Sequence, residues 1–174
     1  EKKQILLRWV GRREPRTEPT KMMTLYQGMP NKYEKIEYII QKGVEIGIRK
    51  FVFFRSDRSQ KLVITRAKEE RFSIIAREAL EQCGWLVMPE IIFQDELVYS
   101  PGIIASEQIV LDTVGLSRRM SELSSLQHIG IWVGPEGGWS EREREEMRGY
   151  GFIFARFWER VMRTETAWVS MAFA

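Results

Sequence analysis

The sequence predicts an α/β fold: a mostly parallel sheet with helices on both faces. Short apolar runs alternate with amphipathic helical patterns along most of the chain, joined by linkers of a few residues. The clearest unit is 129–143, IGIWVGPEGGWSERE. It begins as a strand-type apolar run, breaks at Gly134-Pro135 and Gly137-Gly138, and restarts at Ser140 with a charged helical pattern. Gly-Pro and Gly-Gly are strong breakers. Ser140 followed by Glu143 has capping-box spacing, in which hydroxyl and carboxylate satisfy each other's backbone N–H. In parallel α/β sheets ligands bind beyond the carboxyl ends of strands, where such loops lie. A tight turn without a ligand is the plain alternative.

In chain order, residues 5–10 read as one strand, and the polar stretch 11–21, with two prolines, reads as a linker. A lone strand cannot bury its apolar face. Residues 1–21 therefore stand apart from a main domain at 22–174. Residues 22–27 (MMTLYQ) form a strand. Ile36, Ile39, Ile40 and Val44 follow the i, i+3, i+4 rule of an amphipathic helix that Gly47 stops. Residues 50–54 (KFVFF) are a short buried strand, followed by a polar loop at 55–61. Residues 66–83 form a second helix with Phe72, Ile75, Ala76, Ala79, Leu80 and Cys83 on one face, ended by Gly84. Residues 85–88 and 91–93 flank Pro89 as a broken strand. Residues 108–111 read as a strand ending at Asp112-Thr113, 114–127 as a serine-rich loop or short helix, 129–133 as a strand, 140–150 as a helix and 152–157 as a strand. A final helix starts at Thr164.

Composition narrows the class. Hydrophobic residues make up 44% of the 174, enough for a sizeable core, and 29% are charged, as in a soluble globular chain. No apolar run approaches the ~20 residues that span a bilayer, and no signal-peptide pattern opens the chain. Cytoplasmic localisation is the expectation. Cys83 is the only cysteine and His128 the only histidine, so an internal disulfide is excluded and no metal site is expected. The net charge of +3 permits a nucleic-acid partner without requiring one.

Three strand ends are expected to meet in one pocket: Leu111-Asp112-Thr113, the loop at 134–138, and 159–166 (ERVMRTET). GxGxxG, GxxxxGKS/T and GxSxG are all absent, which argues against a Rossmann dinucleotide site, a P-loop and a serine hydrolase. Thr164 reads as a helix N-cap, and Glu165 in the first turn complements the helix dipole. Arg163 beside them is placed to face an anionic or carbonyl-rich substrate.

These segments resemble the RsmE family of ribosomal RNA uridine-N3 methyltransferases, in the SPOUT superfamily. GPEGGWS at 134–140 is similar to the family's GPEGGFS or GPEGGLS. RVMRTETA at 160–167 is similar to RILRTETA or RVLRTETA. IIQKGVEIG at 39–47 resembles IQKxxELG, and EALEQCG at 78–84 resembles EAxEQxG. Four motifs in the right order cover about 22–174. The resemblance implies a SPOUT α/β fold with a deep C-terminal trefoil knot, a homodimer, and S-adenosyl-L-methionine as cofactor. It places the cofactor against Leu111, Asp112, Val133, Gly134, Pro135, Glu136, Gly137, Gly138, Phe157, Val161, Met162 and Thr164. It also implies an N-terminal PUA-like barrel, of which 1–21 would be a remnant strand and linker.

The implied reaction is methylation of uridine N3 in small-subunit ribosomal RNA, with Arg163 and Glu165 as the catalytic expectation. Arg55, Arg58 and Lys61 are the expected phosphate contacts, with a solvated polar loop as the alternative. The chain departs from the family at Phe157-Trp158-Glu159, where Leu-Gly is usual, at Asp112, where many members have histidine, at Trp85-Leu86-Val87 and at Asn31-Lys32. Two other readings stay open. One is a different knotted methyltransferase acting on transfer RNA or a ribose hydroxyl. The other is a non-catalytic RNA-binding ribosome-assembly protein, which Trp158 would favour by crowding the cofactor.

Overall fold

The computed structural model describes residues 21–99, 107–117, 127–156 and 160–169, with Arg8, Val10 and Gly11. The expected strand and linker within 1–21, together with Phe157 and Trp158, lie almost wholly outside the described residues. The elements run β1 (Met22–Gly28), α1 (Tyr33–Ile46), β2 (Ile48–Phe54), α2 (Arg66–Cys83), β3 (Glu90–Gln94), β4 (Glu107–Ser117), β5 (His128–Val133), α3 (Glu141–Gly149), β6 (Ile153–Arg156) and α4 (Thr164–Ala167). The six strands form one sheet in the order β3-β2-β1-β5-β4-β6, and every neighbouring pair is parallel.

Alternation along the central strands divides the core into two layers. Leu25, Phe51, Phe53, Ile109, Ile131 and Val133 face one side, where α1 lays Ile36, Ile39, Ile40 and Val44 and α2 lays Phe72, Ile75, Ala76 and Leu80 against them. Trp168, just after α4, joins the same layer. Tyr26, Val52, Phe54, Val110 and Trp132 face the other side, under Trp139 and Met147 of α3. Tyr26 and Trp132, paired across β1 and β5, stack with ring centroids 3.9 Å apart. Each buried aliphatic or aromatic side chain contributes about 1.5–3 kcal/mol, so both layers hold the sheet firmly.

This arrangement positions the site. β1 and β5 lie side by side, yet the chain leaving β1 packs α1 on one face and the chain leaving β5 packs α3 on the other. Opposite exits from neighbouring strands open a crevice at their carboxyl ends, where open α/β sheets bind ligands.

Two expectations need correction. Residues 85–88 are not strand; β3 starts at Glu90 and pairs with β2 from Lys50, since Pro89 has no N–H to give a ladder. Residues 114–117, expected to be loop or short helix, belong to β4. After an irregularity the strand pairs again with β6, Leu116 opposite Ala155 and Ser117 opposite Arg156. The knot remains an expectation, because 118–126 and 157–159, which connect β4 to β5 and β6 to α4, lie outside the described residues.

Candidate active site

The loop after β5 is pinned at both ends. Gly138 N–H donates to the Pro135 carbonyl at 2.8 Å, and Gly138 holds φ +67°, a left-handed conformation that suits glycine. Trp139 is buried, and its indole N–H donates to the Leu111 carbonyl at 3.2 Å, tying the loop to β4. Ser140 then caps α3. Its hydroxyl accepts from Glu143 N–H at 3.1 Å, and Glu143 accepts from Ser140 N–H at 2.8 Å. The capping box read from the sequence is present.

The loop also closes against β1. A Cβ on Gly28 would fall 2.6 Å from Pro135 Cδ and N, so only glycine lets the strand end pass there. Beside it, buried Gln27 donates from Nε2 to the Thr164 hydroxyl at 2.7 Å, and that hydroxyl donates to the Gly134 carbonyl at 2.5 Å. Thr164 is therefore not the N-cap expected from the sequence. Arg163 occupies that position, and Thr164 turns inward to join three segments far apart in the chain.

Lys35, on the first turn of α1, donates to Glu136 Oε1 at 2.7 Å and stands 3.6 Å from Glu165 Oε2. Asn31 N–H also donates to Glu136 Oε1, at 3.2 Å. Burial pushes the Glu136 carboxyl up, but the Lys35 ammonium and backbone N–H groups outweigh it and hold the group below its ordinary range. Asp112, only 4% exposed at its side chain, accepts from Arg144 Nε at 2.7 Å and from Nη2 at 3.4 Å. The two-pronged grip neutralises a carboxylate that is out of water.

The polar loop after β2 docks on the same structure. Asp57 accepts from the Ser140 hydroxyl and from Arg142, while its N–H donates to Glu143 Oε1 at 3.0 Å. Those bonds, Arg142 first and Ser140 next, hold the Asp57 carboxyl below its ordinary range. Arg58 donates to the Gly137 carbonyl at 3.1 Å.

These segments enclose a cavity of about 700 Å³, within the usual size for small-molecule sites. Its walls include Leu111, Asp112, Val133, the whole of 134–138, Val161, Met162, Arg163 and Thr164. All three expected strand ends meet there. Other expected residues fare differently. Phe157 lies outside the described residues. Glu165 is not in the wall but sits against Lys35, which is. Its contact with Lys35 sets it beside the pocket wall. Of the expected phosphate contacts only Arg58 reaches the wall; Arg55 stands 3.6 Å from Asp95, and Lys61 is exposed and outside the wall.

The sequence reading missed Lys35, Arg144 and Arg156 as wall residues, while Arg160 lies in the expected 159–166 segment. Nothing in the helical pattern separates Lys35 from the other charged residues of α1. Gln27 did carry a signal: a glutamine closing an apolar strand must find partners when buried.

A profile of the RNA methyltransferase domain matches residues 16–174. Ribosomal RNA small subunit methyltransferase E of Bacillus subtilis is 32% identical over 94% of this chain and 67% of its own length. The chain belongs to the RsmE family. Ribosomal RNA small subunit methyltransferase E 2 of Borreliella burgdorferi is 34% identical over 78% of this chain, which spans 58% of that relative. The RsmE structure from Neisseria gonorrhoeae, bound to S-adenosyl methionine, is 25% identical with a TM-score of 0.75, covering 90% of this chain and 65% of that one. The SPOUT-type α/β fold expected from the motifs is borne out by these likenesses, as is membership of the RsmE family. Among the described residues no helix is long and apolar enough to cross a membrane.

Proposed function

We propose that the chain methylates N3 of a uridine in small-subunit ribosomal RNA, using S-adenosylmethionine, and acts as a homodimer. The observation that carries this reading is the meeting of two RsmE-like segments, 134–138 and 160–164, with the strand end at 111–113 in one cavity of about 700 Å³. The cavity fits the cofactor's chemistry. Leu111, Val133, Pro135, Val161 and Met162 offer apolar walls, and the backbone of 134–138 offers polar groups for a nucleoside. S-adenosylmethionine supplies an electrophilic methyl group on a sulfonium.

The chain's own residues supply position and charge. Glu136, held ionised by Lys35 and Asn31, fixes the glycine loop rather than taking a proton, since a base needs a pKa near the working pH. Arg163 is exposed and lines the cavity, where its guanidinium stabilises the uracil anion formed as the N3 proton passes to water. N3 lies on the Watson–Crick edge, so the uridine enters unpaired.

The test is nucleoside analysis of small ribosomal subunits lacking the modification after incubation with the chain and labelled S-adenosylmethionine. Label in 3-methyluridine is expected. Label on a ribose hydroxyl or only in transfer RNA would replace this reading with another SPOUT chemistry. Cofactor binding without transfer to any RNA would favour a non-catalytic role.

A further inference from the structure

Resting on that reading, we propose that Arg156 and Arg160 form a phosphate-binding rim that guides the RNA strand to the cavity, in place of the loop at 55–61. Six of the residues lining the cavity are basic and two are acidic, while the whole chain carries a net charge of +3. Positive charge is thus concentrated at this one opening.

Half of these basic groups are engaged. Lys35 holds Glu136 and Glu165, Arg144 holds Asp112, and Arg58 is bonded to the Gly137 carbonyl. Arg156, Arg160 and Arg163 remain. All three are exposed, and among the described residues none has a carboxylate within ion-pair distance. Arg163 has its role at the reacting base. Arg156 ends β6, Arg160 lies three residues before Arg163, and all three line the same cavity.

The chemistry selects a phosphodiester strand. A guanidinium grips phosphate through two parallel bonds. Exposed arginines at separate chain positions suit a repeating chain of charges rather than one small enclosed anion. The loop at 55–61 is less suited, since Arg55 faces Asp95 and Arg58 is committed to Gly137.

The experiment measures binding of the full chain to a short single-stranded RNA containing uridine across a salt series, beside Arg156→Gln/Arg160→Gln. Cofactor affinity is measured on the same samples. Loss of two phosphate contacts shortens the slope of log affinity against log salt by about 1.4, read at saturating S-adenosylmethionine. Arg156→Lys/Arg160→Lys restores the slope, since either cation neutralises a phosphate. An unaltered slope would overturn the rim. Methyl transfer is scored separately. A chain that transfers no methyl group but shows the altered slope keeps the rim and loses the reaction; one that methylates with an unaltered slope keeps the reaction and loses the rim.

Discussion

The Thr164 hydroxyl donates to the Gly134 carbonyl at 2.5 Å while accepting from Gln27 Nε2 at 2.7 Å. One buried hydroxyl thereby holds the start of α4 against the glycine loop and the end of β1. Position 164 is a partner for two polar groups that have left water.

Thr164→Val keeps the shape and removes the bonds. Gln27 Nε2 keeps its bond to the Gly28 carbonyl at 2.9 Å and its long one to the Gly134 carbonyl at 3.4 Å, so the weakened link costs about 1–3 kcal/mol in all. We expect a lower urea midpoint and weaker S-adenosylmethionine binding, measured on one preparation. Unchanged values in both would show that the link bears no load.

Gly28→Ala places a methyl group 2.6 Å from Pro135 Cδ and N. A proline ring on the backbone cannot swing aside, so the strand end or the loop must shift. Overpacking of this kind costs about 1–3 kcal/mol. Chemical denaturation should show that loss, with cofactor affinity falling further than the stability change alone explains.

Lys35→Met leaves Glu136 and Glu165 without their shared cation. Two neighbouring carboxylates then repel, and the glycine loop loses its tie to α1. Cofactor affinity is expected to fall, and Glu165→Gln added to it should recover part of the loss. Lys35→Arg, which keeps the charge, should stay near the parent. A simple sum of the two single effects in the double variant would argue against a shared bridge.

Acid should release the loop at 55–61. Asp57 has its pKa lowered in the folded chain, first by its bond from Arg142 and then by that from Ser140. A depressed carboxylate stabilises the fold above its unfolded pKa, about 4, and loses that effect as pH falls through the folded value. Between neutrality and about pH 5 this contribution should stay flat. Melting temperatures of the parent and Asp57→Asn should differ there and converge in stronger acid.

Much of this was legible because local rules and the fold agree. The periodicity of Ile36, Ile39, Ile40 and Val44 gives α1, and Ser140 with Glu143 marks the start of α3 as found. The meeting of 111–113, 134–138 and 160–164 followed from their places at strand ends. What sequence could not show is partnership between distant residues. Lys35 with Glu136, Arg144 with Asp112 and Asp57 with Arg142 are separated by long stretches of chain, and surface charges look alike until the sheet brings them together. Thr164 misled because a threonine before a helical run resembles a cap, whereas packing turned its hydroxyl into the core. β4 ran past its expected end because β6 offered it a second pairing.

The most direct measurement is single-turnover methyl transfer to small ribosomal subunits, comparing the parent chain with Arg163→Ala. We expect the parent to form 3-methyluridine, and the variant to bind S-adenosylmethionine normally while reacting about 100-fold more slowly or worse, as when a donor to a developing anion is removed. Equal rates in the two proteins, or methyl label on any group other than uridine N3, would contradict the account.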